Sequence, residues 1–358
     1  MSFSDAYVQK RTAKNVFYTN IDKIIDWKLV DNEIVKFYKP GKSATGNPAY
    51  SGLLLFKMLL IGIWNGGLSD RDVEEMVCEN LSAMRFCGLQ LESSVPDHSC
   101  LSRFRTALTK DNGFEALLIC INQQLDNHGI IVKSGVKIDA SITDTLRKPK
   151  GKTTYQIAED RKEDEVIESE KEKQSADLKI VKINSKGVDD EGRWVLKGGK
   201  MHFGYKKHVV TDENGLVLSV ITTAANEHDS VCFEELIDKT KLPSKTRVLT
   251  DKAYKSANHD KVLIDRKLKN GIQYKAVRNK PLTERQKKFN RLVSKCRYTV
   301  ERTFGGISKW FTGGIAKYVG KSKTHTQHIL ESISYNIKRS PRLIIDMEIN
   351  RKVNYLTA

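Results

Sequence analysis

Between residues 135 and 310 the chain alternates two kinds of apolar pattern in a regular order, and that order limits the fold more than any other feature. It begins with GVKIDASITDT at 135–145, where Val136, Ile138 and Ala140 alternate with Lys137 and Asp139, the period-two pattern of a strand with one buried face. Strands are expected at 202–211 and 216–223, joined by a turn at 212–215, and a helix over about 229–239. A buried strand at 246–250 then ends at Asp251, followed by a helix over about 255–269, a strand at 272–277 and a long helix from about 283 to 310. Thr283 and Gln286 fit a capping box for that helix. Phe289, Leu292 or Val293, Cys296, Val300, Phe304 and Ile307 recur at helical spacing as its core stripe, while Ser294, Arg297, Tyr298 and Glu301 share the adjacent face.

Three strands, helix, strand, helix, strand, helix is the order of the ribonuclease H-like α/β fold. In that fold the first strand lies centrally, the fourth lies beside it, and the last helix crosses the sheet. Asp139, Asp251 and Glu301 are then expected to converge from distant parts of the chain. Such carboxylates repel one another by several kcal/mol per pair, about 4 at 4 Å and an effective dielectric near 20, so the cluster calls for divalent cations. Oxygen-only ligands favour magnesium or manganese over zinc.

Ahead of this region, residues 1–130 read as helical. Leu54, Met58 and Ile61, flanked by Leu55 and Leu59, form an apolar face, Ser69 suits the cap of the next helix, and CLSRFRTAL after Pro96 presents Arg103 and Arg105. Two short helices across a turn are compatible with a DNA-reading helix-turn-helix and equally with ordinary helical packing. His98 and Cys100 are assigned to local packing. Charge separates the two ends of the chain: residues 1–130 carry 14 basic and 15 acidic side chains, a net of −1, whereas 269–358 carry 20 and 5, a net of +15. With an overall net charge of +17, a polyanion such as nucleic acid is the expected partner.

The lysine- and glutamate-rich stretch 146–193 is expected to be an insertion, either a solvated helix or a disordered segment, poorly ordered without DNA. After it, Lys197-Gly198-Gly199-Lys200 is either a backbone approach to phosphate or a basic hairpin turn. The most apolar run, 52–64, is too short to span a bilayer, and the N-terminus lacks the apolar core of a signal peptide, so no membrane role is expected. The six cysteines show neither metal-ligand nor disulfide spacing.

Successive blocks of the sequence carry a resemblance. GNPAYSGLLLFKMLLIGIWNGGLSDRDVEE and VPDHSCLSRFR, then WVLKGGKMHFGYKKHV, ANEHDS, LTDKAYKS, RYTVERTFGGISKW and YNIKRS, in that order, resemble the DDE transposases of the bacterial insertion sequence five family, within the wider insertion sequence four group. The resemblance implies that Asp139, Asp251 and Glu301 are the catalytic, metal-binding triad, holding two Mg2+ ions for which Mn2+ substitutes. It implies a transposase that binds terminal inverted repeats, cleaves DNA at their ends and joins the 3′ hydroxyls to target DNA; a nuclease or a domesticated DNA-binding relative is the alternative. Arg297 and Glu301 match the Arg-x-x-x-Glu part of a Tyr, Arg, Glu, Lys signature, but Ser294 stands at the tyrosine position and Lys309 falls one residue beyond the lysine position. Candidate DNA contacts are Arg297, Lys309, Lys252, Lys197, Lys200, Lys287, Lys288, Arg291, Arg103 and Arg105. The expected organisation is a helical N-terminal domain at 1–130 for end recognition and possible dimerisation, a catalytic domain at 131–340, and a tail at 341–358. A homodimer in the DNA complex, in the bacterial cytoplasm at the nucleoid, completes the expectation.

Overall fold

The structure, a computed structural model, describes residues 16–39, 49–149, 154–158, 179–183 and 187–357. Among them the first part is helical, as expected: α1 (Val16–Ile24), α2 (Trp27–Phe37), α3 (Gly52–Trp64), α4 (Asp70–Glu79), α5 (Leu81–Phe86), α6 (His98–Lys110) and α7 (Gly113–Asn127). α3 is apolar on nearly every side, and a helix of that kind must be enclosed by others. Leu55, Phe56, Met58, Leu60 and Ile61 are all buried behind the Ser51 cap, a wider surface than the stripe read from Leu54, Met58 and Ile61. Ser69 and Asp72 cap α4 reciprocally.

The sheet contains β1 (Gly135–Thr145), β4 (Arg193–Lys197), β5 (Lys200–Thr211), β6 (Val217–Ala224), β7 (Arg247–Thr250), β8 (Lys269–Ile272) and the short β9 (Ile315–Ala316). Its path β6-β5-β1-β7-β8 has β5 antiparallel to both neighbours and β7 and β8 parallel to β1. This is the ribonuclease H-like arrangement, with β1 central. Helices α8 (Phe233–Thr240), α9 (Ala257–Asp265), α10 (Glu284–Phe311) and α11 (Lys321–Thr357) complete the described chain. β1 is covered on both sides: besides Val136 and Ile138, Lys137 on the other face is buried under α10 and donates to the Asp212 carbonyl at 3.2 Å. The pattern expected of a one-sided strand therefore belongs to a two-sided one. Ser219, on the Ile138 face by register, contacts Thr240 of α8 at 2.8 Å, so α8 packs on the face opposite Asp139.

α10 is docked at the Asp212–Gly215 turn. Asp212 accepts from the backbone N–H groups of Val132 and Leu216, and Gly215 has φ +84°, where a Cβ would meet Thr303 Oγ1 at 2.8 Å. Thr303 donates to the Gly215 carbonyl at 2.8 Å. Thr283 and Gln286 form the expected capping box. The buried positions of α10 are Val293, Val300, Thr303, Ile307 and Phe311, so of the alternatives Leu292 and Val293 it is Val293 that enters the core; Cys296, read as core, faces solvent because the stripe turns toward the 212–215 turn.

Three other expectations are corrected, and one open alternative is decided. The strand expected at 272–277 is β8 at Lys269–Ile272, since β7 ends where Asp251 turns away and the ladder stops at the Gln273 N–H to Thr250 carbonyl bond. Within the insertion, β2 (Thr154–Ala158) and β3 (Lys179–Ile183) form an antiparallel ladder instead of a helix or coil; the intervening 159–178, most of the charged run, lies outside the described residues. Lys197-Gly198-Gly199-Lys200 is a hairpin turn between β4 and β5, with both glycines at positive φ. Residues 341–357 continue α11, where Leu343, Ile344 and Met347 pack against the core, so they are no separate tail.

α11 joins the two regions. It contacts α1, α3, α6 and α7 as well as β5 and β6, and a single apolar cluster runs from Ile21 to Ile337 through both. Among the described residues no helix is long and apolar enough to cross a membrane, and the six cysteines are free.

Candidate active site

Two of the three carboxylates meet at the ends of the central strands. β1 and β7 pair in parallel with Lys137 opposite Leu249, so two steps further on Asp139 stands beside Asp251. Asp251 begins a 3-10 turn, Lys252–Tyr254, and its Oδ1 accepts the Ala253 N–H at 2.8 Å, which fixes its direction. Asp139 Oδ1 accepts the N–H of Ala140 at 3.0 Å, and Oδ2 accepts from Arg297 Nη2 on α10 at 2.7 Å. Burial raises the Asp139 pKa above the usual carboxylate value, against the opposing pull of Arg297. The Arg297 guanidinium holds this carboxylate through one nitrogen only, and its Nε is buried without a partner.

Glu301 is not part of this pair. It lies one turn beyond Arg297, exposed and with no hydrogen bond or ion pair among the described residues, and no group of three histidine, cysteine or acidic residues there is close enough to hold an ion. The physical reason is that α10 crosses the strands obliquely. Its early part meets β8, where Gln273 donates to Ser294 at 2.6 Å, and its later part meets the Gly215 turn, so only the Arg297 level faces Asp139. Ser294, at the expected tyrosine position, is engaged in that sheet contact, and Tyr298 is largely exposed.

The expected DNA contacts divide into two groups. Lys288, Arg291 and Lys309 are exposed along the outer side of α10, and Lys295, which the sequence reading passed over, falls on the same stripe. Lys287 is exposed and paired with Glu284, while Lys197, Lys200, Lys252 and Arg103 are exposed elsewhere. Arg105 is different: both terminal nitrogens fork onto Asp70 of α4 at 2.9 and 2.6 Å, and its guanidinium lies 4.6 Å from the Tyr318 ring centroid. It is a packing residue, which removes one of the two arginines offered by a helix-turn-helix reading. His98 is local packing, as expected, bonded to Glu74.

Comparison with known proteins decides the family. Residues 138–337 match the Transposase DDE domain family, and residues 6–107 match the Transposase domain (DUF772) family. The transposase for insertion sequence element IS1106 of Neisseria meningitidis serogroup B is 34% identical over 240 residues, covering 66% of this chain and 76% of that protein. The chain belongs to the DDE transposases.

Among solved structures, the piggyBac transposase in a synaptic complex with hairpin DNA aligns over 96% of this transposase and 80% of that chain, at 12% identity and a TM-score of 0.38. The Mos1 strand transfer complex aligns over 86% and 81%, at 10% identity and a TM-score of 0.21. A DDE transposase cleaves DNA and transfers its strands, and domains of this type work with divalent metal ions. The donor set of this transposase fits such an ion in part: two adjacent carboxylates supply hard oxygen ligands, each with lone pairs left over, while the third carboxylate is not gathered. Two residues in the blocks that carried the resemblance had been given no role: Lys206, which holds Asp229 of the ANEHDS loop at 2.8 Å, and Tyr254, which closes the 3-10 turn after Asp251.

Proposed function

We propose that this transposase binds the terminal inverted repeats of its own element, cleaves at their ends and joins the freed 3′ hydroxyls to target DNA at the Asp139–Asp251 centre. The observation that carries the reading is the side-by-side placement of these two carboxylates at the ends of adjacent parallel strands, with Arg297 of the basic helix α10 bonded to one of them. Asp139 and Asp251 would hold Mg2+, or Mn2+ in its place, and Glu301, which stands apart from them here, would have to be brought in from α10 to serve as the third ligand. When bound, two such ions supply Lewis acidity at the attacking and leaving oxygens of the phosphodiester. The chain contributes position. β1 and β7 set the spacing of the carboxylates, the Ala253 and Ala140 N–H groups fix their orientation, and Arg297 holds the second oxygen of Asp139.

Duplex DNA would lie along the outer stripe of α10, and the Lys197/Lys200 hairpin would give a second grip. Each lost phosphate contact lowers the log-log salt slope of binding by about 0.9. Replacing Lys287, Lys288 and Arg291 together by alanine is expected to flatten that slope by about 2 to 3. An unchanged slope would move the DNA off α10.

End recognition is assigned to the helical region 1–130, which pairs naturally with a homodimer, since inverted repeats match a two-fold axis. The protein would work in the bacterial cytoplasm on nucleoid DNA. The direct test uses the DNA flanking the gene, searched for short inverted repeats and offered as paired ends with Mg2+. Cleavage followed by joining, in a particle of two chains and two ends, is the expected result. Cleavage without joining would mark a nuclease, and an active particle of one chain on two ends would remove the dimer.

A further inference from the structure

β8 leaves the sheet beside the Asp139–Asp251 pair. Ile272 stands opposite Thr250, and the Gln273 N–H bonds to the Thr250 carbonyl at 3.2 Å, so the chain departs from β8 at the level where Asp251 departs from β7, one strand spacing of about 5 Å away. Before α10 begins it makes a tight turn. The Lys280 N–H donates to the Val277 carbonyl at 2.9 Å and the Val277 N–H to the Lys280 carbonyl at 3.4 Å, which leaves Arg278 and Asn279 at the tip.

The turn is braced at its base and bare at its tip. Asn290 of α10 clamps the backbone of Tyr274, its Oδ1 accepting the N–H at 2.8 Å and its Nδ2 donating to the carbonyl at 3.0 Å. Gln273 adds bonds to the Asn290 carbonyl at 3.1 Å and to Ser294 at 2.6 Å, and the Tyr274 ring meets Phe289 edge-on with centroids 5.4 Å apart. Residues 274–280 are all exposed, Val277 to 67%, and Lys275, Arg278 and Lys280 have no acidic partner among the described residues.

Three unpaired cations on a rigid projection fit a polyanion. The two lysines supply charge, which is all that a grip on phosphate needs. Arg278 and Asn279 add the planar groups that form paired hydrogen bonds with base edges in the major groove, arginine with guanine and asparagine with adenine. Asn279 stands at φ +63°, a conformation that asparagine tolerates and glycine adopts freely, so glycine removes its side chain without straining the turn.

We propose that the turn at 277–280 reads base pairs next to the bond that is cut, with Arg278 bonded to a guanine and Asn279 to an adenine in the major groove of the end DNA. From Gln273 to Arg278 the chain reaches at most about 18 Å, which with the strand spacing puts the tip within about 23 Å of Asp251, or about seven base pairs. The inference rests on the reading that this transposase binds its own ends and cuts them at the Asp139–Asp251 centre. It gives the outermost base pairs to the catalytic domain and leaves the inner ones to the helical region 1–130.

The test measures binding of the full chain, by fluorescence anisotropy, to a duplex carrying the inverted repeat that flanks the gene. The same duplex with single base pairs exchanged and a shuffled duplex of equal composition complete the set, for wild type, Arg278→Ala, Asn279→Gly and Lys288→Ala. Wild type is expected to lose about 5- to 150-fold in affinity when one G·C pair among the outermost seven is exchanged. Arg278→Ala binds the native repeat weaker by the same factor, no longer distinguishes that pair, and binds the shuffled duplex about as wild type does. Asn279→Gly behaves likewise at an A·T pair, both variants keep their discrimination at inner pairs, and Lys288→Ala weakens every duplex alike. Equal weakening of all duplexes by Arg278→Ala marks a phosphate contact and overturns the inference, as does discrimination at the outermost pairs that survives both tip variants. If wild type binds the shuffled duplex as tightly as the repeat, the end-binding reading itself fails and the inference goes with it.

Discussion

Asp139→Asn and Asp251→Asn are each expected to lower DNA cleavage and joining by about a thousandfold or more, equivalent to about 4 kcal/mol of lost transition-state stabilisation. The argument is one of charge at constant shape. Asparagine keeps one oxygen for the Ala140 or Ala253 N–H, so the strand ends remain in place; at position 139 the amide nitrogen replaces the oxygen that accepts from Arg297 and that bond is lost, while α10 stays held by the Gln273–Ser294 and Thr303–Gly215 contacts. What disappears is the negative charge that makes an oxygen pair attractive to a divalent ion. Glu301→Gln tests the third ligand in the same way. A strand-nicking assay on end DNA in Mg2+ gives the rate, and circular dichroism checks the fold; near-wild-type cleavage by any of the three removes that residue from the centre.

The largest expected effect on stability lies away from the centre, at Lys207 on β5 and Glu331 on α11. Their charged groups are 2.9 Å apart, with side chains only 2% and 3% exposed, and Gln327 completes the site by donating to Glu331 at 2.8 Å. Taking both ions out of water cost free energy that their attraction offsets only while both are present. Glu331→Leu strands an ammonium inside the protein and should lower stability by about 3 to 5 kcal/mol, as should Lys207→Met, which strands the carboxylate. The double variant leaves no unpaired charge and should lie well above either single one, near wild type or beyond it. Urea unfolding midpoints measure all four corners of this cycle; a single variant within about 1 kcal/mol of wild type would show that water reaches the pair.

The strand and helix order was legible because it is written in local periodicity, and Asp139 and Asp251 could be located because strand ends follow from that order. Glu301 could not be placed by the same means. Spacing put it on one face with Arg297, but which of two residues a turn apart meets Asp139 depends on the crossing angle of α10, set by contacts as distant as Gln273 with Ser294 and Thr303 with Gly215. Arg105 was misread for a related reason: an arginine on a helix looks alike in sequence whether it faces DNA or a carboxylate 35 positions away. Tyr254 escaped notice because an aromatic residue after a strand is ordinarily core, and only the missing partner of its hydroxyl sets it apart.

α11 is made after every other described helix, yet the first of them are built against it. The Trp64 indole donates to the carbonyl of Ser334, 270 residues later, and at about 5 to 20 residues per second that partner arrives roughly 15 to 55 s after the tryptophan is made. During that interval the sides of α1, α3 and α7 that meet α11 are uncovered, while α3 and α7 already have α2 and α6 to pack against. The same delay means that β5 and β6 lack their α11 cover until residues 321–357 have been made, so a shorter nascent chain cannot yet hold the finished sheet.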